Sequence, residues 1–122
     1  MDLDDLIGPL PAPLGRWLLR RLVAGGVRYG HEFAVLMVRG VQPAALAAVL
    51  RGADVFSEWD GGDLLALLPD TDREGAARAA ERVREATGAC VGPAHWGGDI
   101  LEDLLARALA ALETDAASRA AA

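Results

Sequence analysis

The chain predicts an α+β domain of β-α-β-β-α-β order, the split βαβ or ferredoxin-like arrangement, with helices packed on the sheet. Three observations predict it. Phe33-Ala34-Val35-Leu36-Met37-Val38 is an uninterrupted apolar run, too short for an independent helix and rich in β-formers. Such a run suits a strand covered on both faces, and it is expected to be the central one. Two further β-type segments, Ala53 to Phe56 and Leu64 to Leu68, flank Trp59-Asp60-Gly61-Gly62-Asp63. Glycine supplies the positive φ that tight hairpin turns need, so the pair reads as a hairpin. A helix with clear start and stop signals follows, between Thr71 and Gly88.

Composition bounds the answer. With 122 residues, a single domain spanning 1–122 and a modest core are expected. Hydrophobic residues make up 52%, but much of that is alanine, which predicts a thin, helix-rich core. The net charge of −6 argues against nucleic acid as a partner, since a phosphate backbone needs a basic face. All 12 basic residues are arginine, so no lysine is present to hold a phosphate. Cys90 is the only cysteine and has apolar neighbours, so it reads as a buried small hydrophobe rather than part of a disulfide framework. His31 and His95 have no acidic or cysteine partner at metal spacing, so no metal or other cofactor is expected. No Gly-x-Ser-x-Gly nucleophile motif occurs. The acidic start MDLDDLIG lacks a basic n-region, and no apolar run approaches the ~20 residues of a membrane span. A cytosolic protein without a membrane partner is expected.

The elements follow in order. Gly8, Pro9, Pro11 and Pro13 predict an irregular segment over residues 1–13. Leu14, Trp17, Leu18 and Leu22 then fall at helical spacing beside Arg16, Arg20 and Arg21, and Gly25-Gly26 is expected to end this helix. It lies across the sheet or offers Trp17 to a partner. Gly40 breaks the central strand. Pro43 suits the first position of a short helix to Leu50, with Gly52 placed to terminate it. After the hairpin, Pro69-Asp70 stops the strand and Thr71 with Glu74 reads as a capping box. The helix puts Ala76, Ala80 and Val83 on one face, with Arg78, Arg82 and Glu85 largely off it. Gly88 is a C-cap, and Ala89-Cys90-Val91 reads as a short last strand ended by Gly92-Pro93. His95 to Gly98 reads as a loop. Asp99 is placed to cap a helix whose stripe is Leu101, Leu104, Leu105, Ala108 and Leu112. Residues 116–122 read as a disordered, low-complexity tail.

The stretch GGDLLALLPDTDREGAARAAERVREA resembles the signature hairpin and following helix of the GGDEF family, the domains that make cyclic di-GMP from GTP. The likeness is strongest from Leu64 onward and weaker over Phe33 to Val38. Asp4-Asp5-Leu6-Ile7-Gly8 is similar to the family's DxLTGL motif, and Leu104 to Ala108 to its last helix. The resemblance implies a palm-like fold, in agreement with the element order. Two registers of the signature turn are open. Matching Gly61-Gly62-Asp63 letter for letter leaves the following strand one residue short. Anchoring on Leu-Pro-Asp-Thr-Asp instead puts Asp60-Gly61-Gly62-Asp63-Leu64 in place of GGDEF, and is preferred because it also aligns Arg51 and Asp54 with the family's upstream RxxD pair.

In either register the turn is degenerate and the resemblance implies a damaged active site. Family cyclases hold divalent metal with an acidic residue ending the first strand and another in the turn, which lowers the charge cost of joining two triphosphates. Here the strand ends in Arg39-Gly40-Val41, a cation where the metal-binding aspartate is expected. Asp63 alone fits an acidic signature position, and one carboxylate does not make a magnesium site. The guanine-reading segment is replaced by Val41-Gln42-Pro43-Ala44-Ala45-Leu46, and the phosphate-holding lysine aligns near Ala116. No catalytic residues and no enzyme activity are expected.

Arg51-Gly52-Ala53-Asp54 is different, because it matches the family's product-binding inhibitory motif at the expected distance before the turn. Arginine offers a planar fork to guanine or phosphate, and aspartate accepts from guanine N–H groups. The bland alternative is that Arg51 ends a helix and Asp54 begins a strand. Two functions follow. One is a non-catalytic regulatory domain that senses cyclic di-GMP or another nucleotide through Arg51 and Asp54. The other is a scaffold for a protein partner or a homodimer, with Trp17 or Trp59 at the contact.

Overall fold

A computed structural model describes residues 9–120 of the chain. It contains α1 (Ala12–Tyr29), β1 (Phe33–Arg39), α2 (Pro43–Val49), β2 (Val55–Glu58), β3 (Leu64–Pro69), α3 (Arg73–Thr87), β4 (Cys90–Trp96) and α4 (Leu101–Ala120). The strands form one antiparallel sheet in the order β2-β3-β1-β4. This is the expected split βαβ topology, and β1 is an inner strand as its continuous apolar run requires.

Alternation along β1 explains that run. Ala34, Leu36 and Val38 point into a core closed by α2 and α3, with Leu46, Ala80 and Val83. Phe33, Val35 and Met37 point into a second core closed by α1 and α4, with Leu19, Leu104, Ala108 and Leu112. Successive strand residues face opposite sides, so a strand covered on both sides is apolar at every position. The ferredoxin-like core thus carries one helical layer of its own (α2 and α3) and a second one from the two flanking helices.

Several boundaries differ from expectation, each for a tertiary reason. Helix α1 begins at Ala12, with Pro13 in its first turn, and does not stop at Gly25-Gly26 but runs to Tyr29. Gly26 is where the helix meets the Trp96 ring, and a Cβ there would run into it. The glycine serves close packing, and the helix ends at Gly30 in the left-handed region instead. Strand β4 continues through Gly92-Pro93 to Trp96. At Gly92 a side chain would strike the backbone of Ala108 and Leu112, so glycine lets α4 lie on the strand. Pro93 is tolerated because β4 is an edge strand. Strand β2 starts at Val55, and Arg51 to Asp54 forms a turn closed by Asp54 N–H donating to the Arg51 carbonyl at 2.9 Å.

The caps also differ. Asp72, not Thr71, caps α3, accepting from the Gly75 N–H at 2.7 Å, while the Thr71 hydroxyl donates to the Pro69 carbonyl. Asp99 does not cap α4. Its carboxylate accepts from the Gly97 N–H and from Arg107, and the Ile100 carbonyl accepts the first helical bonds. Residues 116–120, expected to be a tail, continue α4, where Arg119 donates to the Gly88 carbonyl at 2.8 Å. Cys90 is half-buried at the start of β4. The Asp4 to Gly8 motif lies outside the described residues.

Both sheet edges are closed. Leu10 lies along β2, its N–H donating to Phe56 and its carbonyl accepting from Glu58. On β4 the work is done by side chains: Val91 N–H donates to Asp115 at 2.8 Å, and Val91 and His95 carbonyls accept from Arg84 and Arg107. Covered edges resist pairing with another chain.

Candidate functional site

The antiparallel register places two clusters of arginine and carboxylate at opposite ends of the sheet. At one end, β1 finishes beside the start of β3, because Val38 pairs with Leu64. The signature turn is compact here: Asp60–Gly62 makes one 3-10 turn, and Trp59 N–H donates to the Asp63 carbonyl at 2.9 Å. This brings Asp63 against Arg39. The guanidinium binds the carboxylate through two parallel hydrogen bonds, Nε to Oδ1 at 2.9 Å and Nη2 to Oδ2 at 3.0 Å. Glu113 of α4 takes a third bond from Arg39 at 3.3 Å. Asp63 is only 6% exposed, so its charge needs this fork. The bonds from Asp63, then those from Glu113, hold Arg39 protonated well above its ordinary range.

This donor set does not fit a divalent cation. Both Asp63 oxygens are taken by a residue that is itself positive, and the described residues contain no cluster of three or more metal-ligating side chains. Beside the cluster, Arg16 stacks on Trp59, 4.3 Å from the ring centroid, and pairs with Asp60 at 3.3 Å. Trp59 is thereby half-buried, and it borders a groove of about 590 Å³ between the turn and α4. Trp17 stands apart, 52% exposed on the outer face of α1.

At the other end, β2 begins, β3 finishes and α3 starts. A cleft of about 380 Å³ lies there, bordered by Arg51, Asp54, Asp70, Asp72, Arg78 and Arg82, with Glu32 at its edge. That is within the size range of small-molecule sites, roughly 300–1,000 Å³. The Asp54 carboxylate accepts from the Arg51 backbone N–H at 3.0 Å, not from its guanidinium. Among the described residues the Arg51 guanidinium has no hydrogen bond or ion pair, and it is exposed. Arg82 is steadied by donating to the Val49 carbonyl at 3.4 Å, and Arg78 reaches Glu74 at 3.8 Å. Asp70 turns the chain from β3 toward α3 with φ of 49°, a left-handed value that aspartate tolerates better than most residues. Arg51 and Asp54 therefore share one cleft, while Asp60 and Asp63 lie at the far end and Trp17 on another surface.

Sequence reasoning missed Arg78, Arg82 and Glu113. The first two lie off the apolar face of α3, and their i, i+4 spacing was the available signal. Which neighbour that face meets depends on strand order. Glu113 gave no signal, since it reaches Arg39 only because α4 crosses the sheet.

No protein-family model and no curated protein matches the chain, whereas solved structures do. The chain is similar to the diguanylate cyclase SiaD from Pseudomonas aeruginosa, solved in complex with its activator SiaC, at 22% identity and a TM-score of 0.77. That alignment covers 88% of this chain and 55% of SiaD, so the chain spans only about half the length of that relative. The GGDEF domain of FimX from Pseudomonas aeruginosa aligns at 14% identity and a TM-score of 0.76, over 92% of this chain and 91% of that one. A microbial GGDEF domain solved with cyclic di-GMP aligns at 18% identity and 0.72, over 93% and 89%. At these identities the likeness is one of fold, and this chain has the GGDEF-domain fold.

Proposed function

We propose that the chain is a non-catalytic, regulatory GGDEF-like domain of the cytosol that binds cyclic di-GMP in the cleft of Arg51 and Asp54. One observation carries the reading: the Arg51 guanidinium stands open at a cleft, while the arginine at the signature end is closed on its carboxylate. A guanidinium with free donors can take a phosphate or the Hoogsteen edge of guanine in a bidentate fashion. Arg78 and Arg82 add positive charge on the same wall, and the Asp54 oxygen not used by the turn can accept from guanine N–H. A solved neighbour of the same fold is described with cyclic di-GMP.

The same contrast supports the absence of synthesis. A catalytic metal needs carboxylate oxygens free to ligate, and those of Asp63 face Arg39. Incubation with GTP and magnesium or manganese is expected to give no dinucleotide above blank. Turnover abolished by Asp63→Ala would overturn that part of the reading.

Calorimetry tests the cleft. The native chain is expected to bind cyclic di-GMP, and Arg51→Ala to bind about tenfold or more weakly, since hydrogen bonds to charged groups are worth roughly 1.5–3 kcal/mol each. Arg51 is exposed, so the variant keeps its fold and the loss is one of affinity. No heat and no thermal shift at high micromolar nucleotide would sink the proposal and leave the scaffold reading.

A further inference from the structure

The two helical layers differ in what they show to solvent. Leu14, Trp17, Val27, Tyr29, Ile100 and Leu109, which are large apolar side chains left exposed, belong to α1, α4 or the turn before α4. Helices α2 and α3 contribute none. On the outer ridge of α1, Leu14, Trp17, Arg20, Arg21, Ala24 and Arg28 are all exposed. Between Pro9 and His31 the sequence has no acidic residue, in a chain of net charge −6. A solvated helix face normally mixes both signs with neutral polar residues. This ridge has only apolar groups and arginine, the composition found at the centre of protein interfaces. Arg21 lies over the Trp17 ring, 5.4 Å from its centroid, so cation and aromatic form one unit.

The complementary surface lies on the same face of the sheet. The groove of about 590 Å³ has Met37, Leu105 and Leu109 on its floor, and Asp60, Glu102 and Glu113 around it. Its arginines, Arg16 and Arg39, are already held by Asp60 and by Asp63 with Glu113. Glu102 is exposed and has no ion pair among the described residues.

We propose that a second copy of this chain docks here. The Trp17 ridge of each copy enters the α4 groove of the other, with Arg20 and Arg21 toward Glu102, the groove carboxylate that has no ion pair among the described residues. Ridge against ridge is disfavoured, because arginine would face arginine with no acid on either side. Ridge into groove matches apolar to apolar and positive to negative. Since both surfaces lie on one face, a two-fold axis satisfies both contacts at once and closes the assembly at a dimer.

Sedimentation equilibrium of the full chain, from low to high micromolar, tests this. A monomer–dimer equilibrium is expected, weakened as ionic strength rises toward ~1 M. Trp17→Glu and Arg21→Glu should each weaken it about tenfold or more, and combining Arg21→Glu with Glu102→Arg should restore it. Circular dichroism checks the fold, and should Trp17→Glu misfold, the charge swap still decides. A monomer at every concentration overturns the proposal, as does a dimer indifferent to these substitutions. Oligomers that grow without limit overturn the two-fold closure. A monomer that binds anionic phospholipid vesicles through Arg21 makes a membrane, not a second copy, the occupant.

Discussion

At the Arg39 end of the sheet an arginine and an aspartate, 24 positions apart, meet through two parallel hydrogen bonds. At the Arg51 end the same residue types stand three positions apart, yet their charged groups do not join. Burial accounts for the difference. Asp63 sits under the hairpin at 6% exposure, where an uncompensated carboxylate is costly, so the nearest cation is drawn onto it. Asp54 is half-exposed, its carboxylate is used to close a turn, and Arg51 can remain hydrated. Nearness in sequence therefore says little about which charges pair. What a fold hides from water decides it.

The comparison is broken most directly by stability. Arg39→Ala leaves Asp63 buried without its partner and is expected to cost about 2–3 kcal/mol, less than the roughly 3–5 kcal/mol of a fully buried pair because Arg39 itself is partly exposed. Arg51→Ala should change stability by no more than about 0.5 kcal/mol. Urea midpoints at constant m-value measure both. Equal costs at the two ends would mean that burial is not what separates them.

A smaller effect sharpens the Arg51 end, where cyclic di-GMP is proposed to bind. Arg82 is half-buried and anchored to α2, whereas the Arg78 side chain is 70% exposed and partnered only by Glu74. A pre-positioned arginine loses less freedom on binding. Arg82→Ala should weaken cyclic di-GMP by about tenfold, or about 1.4 kcal/mol, and Arg78→Ala by about threefold or less. Calorimetric titration giving the reverse order would show that the cleft is recognised from its outer rim.

The smallest effect tests the clamp that ties α4 to β4. Burial pushes the Asp115 carboxyl up, but the Val91 N–H and the Arg84 guanidinium outweigh it and hold the group below its ordinary value. A carboxyl depressed in the folded state adds stability that is present above its unfolded pKa and lost as pH falls through the folded one. Asp115→Asn should thus cost on the order of 1 kcal/mol at neutral pH, and progressively less below ~pH 4. Urea unfolding of both proteins at neutral and acid pH follows the gap, which should narrow with acid. A gap that stays constant would assign the loss to packing rather than charge.

Much of this architecture is legible in the order of the amino acids. The continuous apolar run at Phe33 to Val38, the glycines of the hairpin and the apolar stripes of α3 and α4 are local patterns with one good solution each, and together they specify the element order. Arg51 and Asp54 are legible as a candidate pair because their motif is contiguous. The glycines at 26 and 92 mislead, since local chemistry reads them as breakers. Their role is to admit the Trp96 ring and the α4 backbone, groups that arrive from far along the chain.

The sequence by itself therefore determined the secondary elements, their order and the central place of β1, because hydrophobic periodicity and turn chemistry act over a few residues. Tertiary structure alone decided where helices and strands end, which wall Arg78 and Arg82 join, and that Arg39 would be closed on Asp63 and Glu113 while Arg51 stayed open. Those outcomes depend on strand order and on burial. Burial is a property of the assembled layers, and it sets the cost of leaving each charge unpaired.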